Sequence, residues 1–374
     1  MIKVIPIVLL LLLGNFAVNT FGDIPPPLKQ TGIDPHNTKC KSHLTLIFKI
    51  GWIPACVKEE SVEKLIQRGW AEDHNPTHTK IITNSGLIFA TLQGEDKIVE
   101  INSMKKFDAG EKMTYVSTNM DASMVAATSS KENSIFVYEA HSGELLSKIS
   151  VGDTPKGLKF DPTGNLIFVA NEGAGTISVI DVLRHTVVKE IKVGTMPHNI
   201  VFTQNGITAY VTLQGQDEIV EIDVDSLTVV DRFSVGKMPH NLDITPDAKH
   251  ILVTNIGTND VSVIDLNEKE IIKNIPVTKG HHGIDIPQSG NRIFVSGIAE
   301  DKISVIDSGN FEVIEEITVG AGPHGLRTNT EGTLLYVAVV NDNHIVVIDT
   351  ETLLIKHRID VGEKPFWVTV PANP

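Results

Sequence analysis

Four histidines recur at one spacing: His198, His240, His282 and His324 each follow the last by 42 residues. His281 stands directly before His282, where the other three have proline. Imidazole suits Cu, Zn, Fe or Ni, and beside a carboxylate it can act as an acid–base partner. Carboxylates recur as well, as Glu95 with Asp96, then Asp217, Asp260, Asp301 and Asp342, each in a short segment rich in Gln, Gly or Asn, or beside Glu300. Between them the two sets hold the donor types for a divalent ion, Cu or Zn on imidazole or Mg on carboxylate. Two readings stand side by side. In one, Pro-His belongs to a repeat and the imidazole packs against the neighbouring unit; in the other, the histidines form a metal or anion site. The carboxylates pose the same choice, between solvated turn residues and ligands.

The elements that position these residues follow from the repeat. Related phrases begin at Val151, Val193, Val235, Val277, Val319 and Val361, each 42 residues after the one before. Counting back 42 from Val151 reaches Ala109, a more diverged copy, and a shorter one runs before it from about Asn75 to Asp108. Within the third copy, Gly157–Asp161, Leu166–Asn171, Thr176–Asp181 and Val187–Val193 read as strands, rich in Val, Ile and Phe and separated by Pro, Gly, Asn and Asp. Four strands per period describe a propeller blade, whereas a parallel β-helix repeats in about 20–25 residues. The fold class is therefore all-β: a seven-bladed β-propeller over 75–374, preceded by a small N-terminal module. The last segment, Lys364 to Val370, looks like one more first strand. It is expected to close the ring on blade one, displacing or extending a weak strand at Lys80–Thr83; a rudimentary eighth blade is the alternative.

Pro155, Pro197, Pro239, Pro323 and Pro365 open first strands, which form the inner edge of a blade, where a missing N–H is tolerated. Asp181, Asp223, Asp265, Asp307 and Asp349 close third strands and are expected to bond the following turn. The links into first strands and those between second and third strands open on one face, the top, beside the central channel. The histidines thus form an arc on blades four to seven, with neighbours turned by about 51° around the axis. Blades two and three carry Thr114 and Lys156 at this place, and His78 lies one residue off it in blade one.

The chain resembles the YVTN family of β-propeller repeats, known from archaeal surface-layer and other exported proteins. The signature survives in Tyr210-Val211-Thr212-Leu213, Leu252-Val253-Thr254-Asn255 and Phe168-Val169-Ala170-Asn171, and the phrase at Ser178–Asp181 matches the next strand. The resemblance covers roughly 300 residues and implies the fold, not one activity, since propellers host many. A WD40 reading fails, because no Trp lies between Trp70 and Trp367. An arc of histidines in a propeller also looks like that of nitrous oxide reductase, whose further ligands and second copper domain are lacking here. The loop carboxylates are similar in kind to those of propeller lyases that act on streptogramins, without a residue-by-residue match.

The N-terminus reads as an export signal over 1–22: Lys3, then an apolar run from Val4 to Leu13, then Gly14 and mostly small or polar residues up to Gly22. The run is too short to span a bilayer, so membrane association would come only through an uncleaved N-terminal segment. Residues 23–38 read as a Pro-rich linker. The module at 39–72 holds both cysteines of the chain, Cys40 and Cys56, expected to pair as a disulfide in an oxidising compartment. Such a loop gains ~3 kcal/mol on the chain-entropy argument. A strand is expected over Leu44–Ile50, a turn at Gly51 and Pro54, and a helix over Glu59–Arg68.

The net charge of −14, from 46 acidic and 32 basic residues, argues against a general nucleic-acid binder. No nucleophile motif, phosphate loop or haem-attachment pattern is present. The leading expectation is an exported or cell-surface scaffold that binds a protein, glycan or small ligand on its top face. Alternatives are a metal-dependent enzyme or metal carrier using the histidine arc, and a structural component of the cell envelope.

Overall fold

The structure is a computed structural model that describes residues 45–49, 53–58, 71–72, 86–288 and 291–371; of 45–49, 53–57, 71–72, 281 and 282 it describes the backbone alone. The chain divides into two compact units, Met1–Asn75 and Pro76–Pro374. In the first, Thr45–Lys49 lies between Ile53–Val57 and Ala71–Glu72 in an antiparallel sheet. Pro54, expected in a turn, lies instead within the strand Ile53–Val57 opposite Phe48. That strand is an edge of the sheet, where a residue without an N–H breaks no ladder. Cys56 sits in the same strand opposite Leu46. Cys40, the signal segment 1–22, the linker 23–38 and the expected helix over 59–68 lie outside the described residues. Among the described residues no helix is long and apolar enough to cross a membrane.

The second unit is a ring of seven four-stranded antiparallel sheets. Blade four is representative, with Pro197–Phe202 innermost, then Thr208–Leu213, Glu218–Asp223 and Thr228–Ser234 at the rim. Blade one is built from both ends of the unit: Pro365–Thr369 is its inner strand, paired to Phe89–Leu92, which leads to Lys97–Glu100 and Lys105–Asp108. The C-terminal segment therefore closes the ring as the missing first strand, and there is no eighth blade among the described residues.

Second strands are buried along almost their whole length, as in Ile167–Asn171, because each blade is covered on both faces. This is why they read as continuous apolar runs rather than alternating ones. Rim strands alternate and are largely exposed. The core is shared out between blades: Phe168 and Val179 of blade three pack with Phe202 and Val211 of blade four, and Val368 and Val99 of blade one pack with Tyr336 and Ile345 of blade seven. The strand-ending aspartates serve their turns: Asp181 accepts the Arg184 N–H at 2.8 Å, Asp223 that of Ser226 at 2.7 Å and Asp349 that of Thr352 at 2.8 Å.

Every inner strand carries an irregularity at its start. In blade four Pro197 pairs with Leu213 and Ile200 with Val211, three residues against two. The extra residue is a bulge, which bends the strand and re-aims the side chains beside it. It strands the Asn199 N–H, which donates instead to the Thr212 hydroxyl at 3.1 Å. The same hydroxyl donates to the carbonyl of His240 in blade five at 2.8 Å. Thr212 is the threonine of the repeat signature, so the signature residue joins two blades. Replacing Thr212 by Val keeps the shape but leaves a buried N–H and a buried carbonyl short of partners. Thr212→Val should lower the unfolding free energy in urea by about 1–3 kcal/mol, with the denaturant slope unchanged.

Candidate functional site

The second residues of the seven first strands, 42 apart, make one ring of positions at the channel mouth: Thr114, Lys156, His198, His240, His282, His324 and, on the closing strand, Phe366. The place expected for His78, which lies outside the described residues, is thus taken by Phe366. His281 and His282 begin the inner strand of blade six; their side chains lie outside what the structure describes. The other six ring residues, with Tyr115 and Ile298, line a cavity of about 300 Å³.

Three of the ring histidines make ring contacts. His198 and His240 stack with centroids 4.0 Å apart, and His324 stacks on Phe366 at 3.8 Å. Among the described residues no three His, Cys, Asp or Glu side chains are arranged to hold a metal ion. Both nitrogens of His198 are engaged: Nδ1 lies 3.3 Å from Glu172 Oε1, and Nε2 lies 3.0 Å from the Tyr115 hydroxyl. Glu172 comes from the loop after the second strand of blade three, and its other oxygen lies 3.3 Å from the Lys156 ammonium. Four side chains thus form one chain, Lys156–Glu172–His198–Tyr115.

The ionisation states follow. Burial works against charge on Glu172, but the His198 hydrogen bond and the Lys156 charge outweigh it and hold its carboxyl below the ordinary range. Burial pushes the His198 imidazole down against the pull of Glu172. Burial also pushes the Tyr115 phenol up, a shift that a hydrogen bond with Asn241 only partly offsets. An ionised carboxylate can only accept, so neutral His198 carries its proton on Nδ1 and accepts from Tyr115 at Nε2. The tautomer of His240 is set from further away. The Ile200 N–H donates to Asn199 Oδ1 at 2.8 Å, which leaves Asn199 Nδ2 to donate to Asn241 Oδ1. Asn241 Nδ2 then donates to His240 Nδ1 at 2.7 Å, placing the His240 proton on Nε2.

Below this ring lies a layer of the next residues along each inner strand: Tyr115, Gly157, Asn199, Asn241, Gly283, Gly325 and Trp367. Tyr115 and Trp367 rings stand 4.4 Å apart. A Cβ on Gly157 would come within 2.6 Å of Asn199 Oδ1, and one on Gly325 within 2.7 Å of the Trp367 Cα, so those inner strands approach closely only as glycine. Three residues beyond the histidine position, the lower channel holds charge. Arg327 Nη1 donates to Asp285 at 2.8 Å and to Asp243 at 3.3 Å. Burial, with Arg327 adding like charge, pushes the nearby Lys159 amine down to about 8. The cavity there is about 20 Å³, room for about one water.

The loop carboxylates lie apart from the histidines and do not line the upper cavity. All but Asp260 bond backbone at the links between blades. Asp96 accepts the Lys112 N–H at 3.0 Å, Asp217 that of Met238 at 2.9 Å, Asp301 that of Gly322 at 3.1 Å and Asp342 that of Ala321 at 2.8 Å. Glu95 accepts the Glu363 N–H at 2.9 Å and pairs with Lys106 at 2.6 Å. Asp260 accepts from Asn255 at 2.8 Å and Thr258 at 3.0 Å. Sequence reasoning missed Glu172, Tyr115 and Phe366 as site residues. Phe366 was within reach, being 42 residues after His324. Glu172 and Tyr115 had no such signal, because each differs from the residues that replace it in other blades.

A family model described as YNCE-like beta-propeller matches residues 114–334 and 201–370. No curated protein matches the chain. Among solved structures, hydrazine synthase of Kuenenia stuttgartiensis is similar over 69% of this chain and 89% of its own, with 19% identity and a TM-score of 0.64. A functionally unknown protein from Desulfotomaculum acetoxidans is similar over 78% of this chain and 100% of its own, with 12% identity and a TM-score of 0.67. Dihydro-heme d1 dehydrogenase NirN, in complex with DHE, is similar over 74% of this chain and 64% of its own, with 16% identity and a TM-score of 0.58. At these identities the likeness is one of fold.

Two measurements check the polar chain. Imidazole 15N spectra at pH 7 should show His198 neutral with its proton on Nδ1 and His240 with its proton on Nε2; the reverse assignment would refute the chain of donors. Glu172→Gln should cost about 1 kcal/mol of unfolding free energy at pH 7. Because the folded pKa of Glu172 is depressed, its stabilisation is complete above the ordinary glutamate value of about 4.3 and fades as pH falls through the lower folded value. The gap between variant and wild type should close over that acid window.

Proposed function

The chain belongs to the YNCE-like β-propeller family, and on that scaffold we propose an exported small-molecule binder whose ligand sits in the upper cavity at the channel mouth. The observation that carries this reading is the cavity of about 300 Å³ at the channel mouth, lined by a ring of positions whose residues differ from blade to blade. Ligand pockets run from about 300 to 1,000 Å³ and are lined mostly by apolar and aromatic groups with a few polar ones. Tyr115, Phe366, Ile298 and the imidazoles supply the first kind, Thr114 and Lys156 the second. A small ligand is favoured over a protein or glycan because the top-face carboxylates that a broad partner would meet are spent on the backbone of the links. Binding is favoured over proton transfer because His198 and Tyr115 are bonded to each other and Glu172 to His198. The basic and apolar N-terminal run supports export, and the Cys40–Cys56 pair would staple the N-terminal module there.

The test uses a neutral fluorophore, N-phenylnaphthylamine, which brightens in apolar surroundings. Wild-type protein should show saturable enhancement at one site per chain. Phe366→Ala, with the fold verified by circular dichroism, should weaken it by about tenfold through lost ring packing. Enhancement that never saturates, or that Phe366→Ala leaves unchanged, would sink the reading.

A further inference from the structure

Which ligand class the cavity takes turns on which charge faces it. Lys156 lines the cavity and Glu172 does not. The two are paired at 3.3 Å with side chains 21% and 17% exposed, so both are largely withdrawn from water. They are not equivalent, however. One oxygen of Glu172 faces His198 and the other faces Lys156. An ammonium has three N–H donors, so the bond to Glu172 leaves Lys156 donors for a second acceptor. Burial disfavours charging of the His198 imidazole, and the His240 ring accepts at Nδ1 from Asn241. Lys156 is therefore the cation that the described lining offers a ligand.

The remaining lining decides shape. Five of the eight lining residues are rings: Tyr115, His198, His240, His324 and Phe366. Ring pairs in edge or offset contact gain about 0.5–1.5 kcal/mol each beyond the area they bury. A flat conjugated ligand collects that gain on several walls at once, and an aliphatic chain of equal volume does not. The volume, about 300 Å³, sits at the small end of ligand pockets. The net charge of −14 opposes anions at long range, but screening confines that field to about 8 Å at physiological salt, and inside the cavity the nearest charge governs.

We propose that the upper cavity binds a planar aromatic carboxylate of one or two fused rings, the ring lying among the ring-bearing walls and the carboxylate on the Lys156 ammonium. This rests on the cavity being the binding site. Lys156 is the specificity residue: it replaces, in blade three alone, the histidine or small hydroxyl found at the neighbouring ring positions. Glu172 is a positioning residue that holds the ammonium at the wall and accepts from His198 Nδ1, fixing the orientation of that ring.

The experiment compares naphthoate, naphthamide and naphthylmethylammonium, three ligands with one ring system and three charges, by calorimetric titration into the full-length protein. Naphthoate should bind at least about tenfold more tightly than naphthamide, the worth of one charge-assisted hydrogen bond, and naphthylmethylammonium should bind most weakly. Lys156→Met should bring naphthoate down to the affinity of naphthamide and leave naphthamide unchanged, while Lys156→Arg should keep the preference for the anion. Equal binding of all three, or a naphthoate preference that survives Lys156→Met, overturns the ligand class while the neutral-fluorophore result still supports the cavity. No binding of any of the three overturns it as well, and the fluorophore then decides separately whether the cavity is a site at all. Melting temperatures of both Lys156 variants close to wild type confirm that binding, not folding, is being read.

Discussion

Among the described residues, four blades have one side-chain oxygen that bonds the backbone of its own inner strand and that of the next blade. Thr91, Thr128, Thr212 and Ser296 each accept the N–H stranded by the bulge in their own inner strand and donate to a carbonyl of the next blade. The carbonyl reached is that of the ring residue itself: Thr114, Lys156, His240 or His324. A bulge without that hydroxyl would leave a buried donor unpaired, at a cost of about 1–3 kcal/mol. The hydroxyl turns the bulge into a joint, and the four joints fix the backbone at four of the ring positions around the channel mouth. Thr91 makes this joint for the closing strand too, receiving the Trp367 N–H at 3.1 Å across a sequence separation of 276.

Once the scaffold is equalised in this way, chemistry resides in what differs between blades. Seven ring positions hold three described histidines, a lysine, a threonine and a phenylalanine, with His282 on the seventh. The layer beneath mixes bulky and minimal residues, because Tyr115 and Trp367 fill a channel that seven equal side chains would overfill. Gly157 and Gly325 yield the space. The cavity exists because these two layers are unequal, and its polarity exists because blade three supplies both Lys156 and Glu172.

Electrostatics separates the two ends of the channel. At the lower end Arg327, Asp243, Asp285 and Lys159 draw four blades together across a space of about 20 Å³. Buried charges of this kind are costly to desolvate and strongly destabilising to break singly, so the cluster fixes one arrangement of blades five, six and seven and leaves no room for a ligand. At the upper end imidazoles, other rings and one ammonium leave an open volume fifteen times larger, from about 300 and 20 Å³.

The sequence by itself determined what depends on near neighbours. The period of 42, strand limits within about two residues in blade three, prolines at inner edges and aspartates in turns all follow from local backbone preferences and from pairing within one blade. The histidine arc was legible for the same reason, since the period places those residues on equivalent strands. Only the tertiary structure decided what the arc is. It put Phe366 where His78 was expected, because ring closure chose the far end of the chain to complete blade one. It joined Glu172 to His198 across 26 residues and Tyr115 to His198 across 83. It also set His198 against His240 and His324 against Phe366 as tilted ring pairs, since such contacts depend on the spacing of neighbouring inner strands and no one-dimensional period contains that distance.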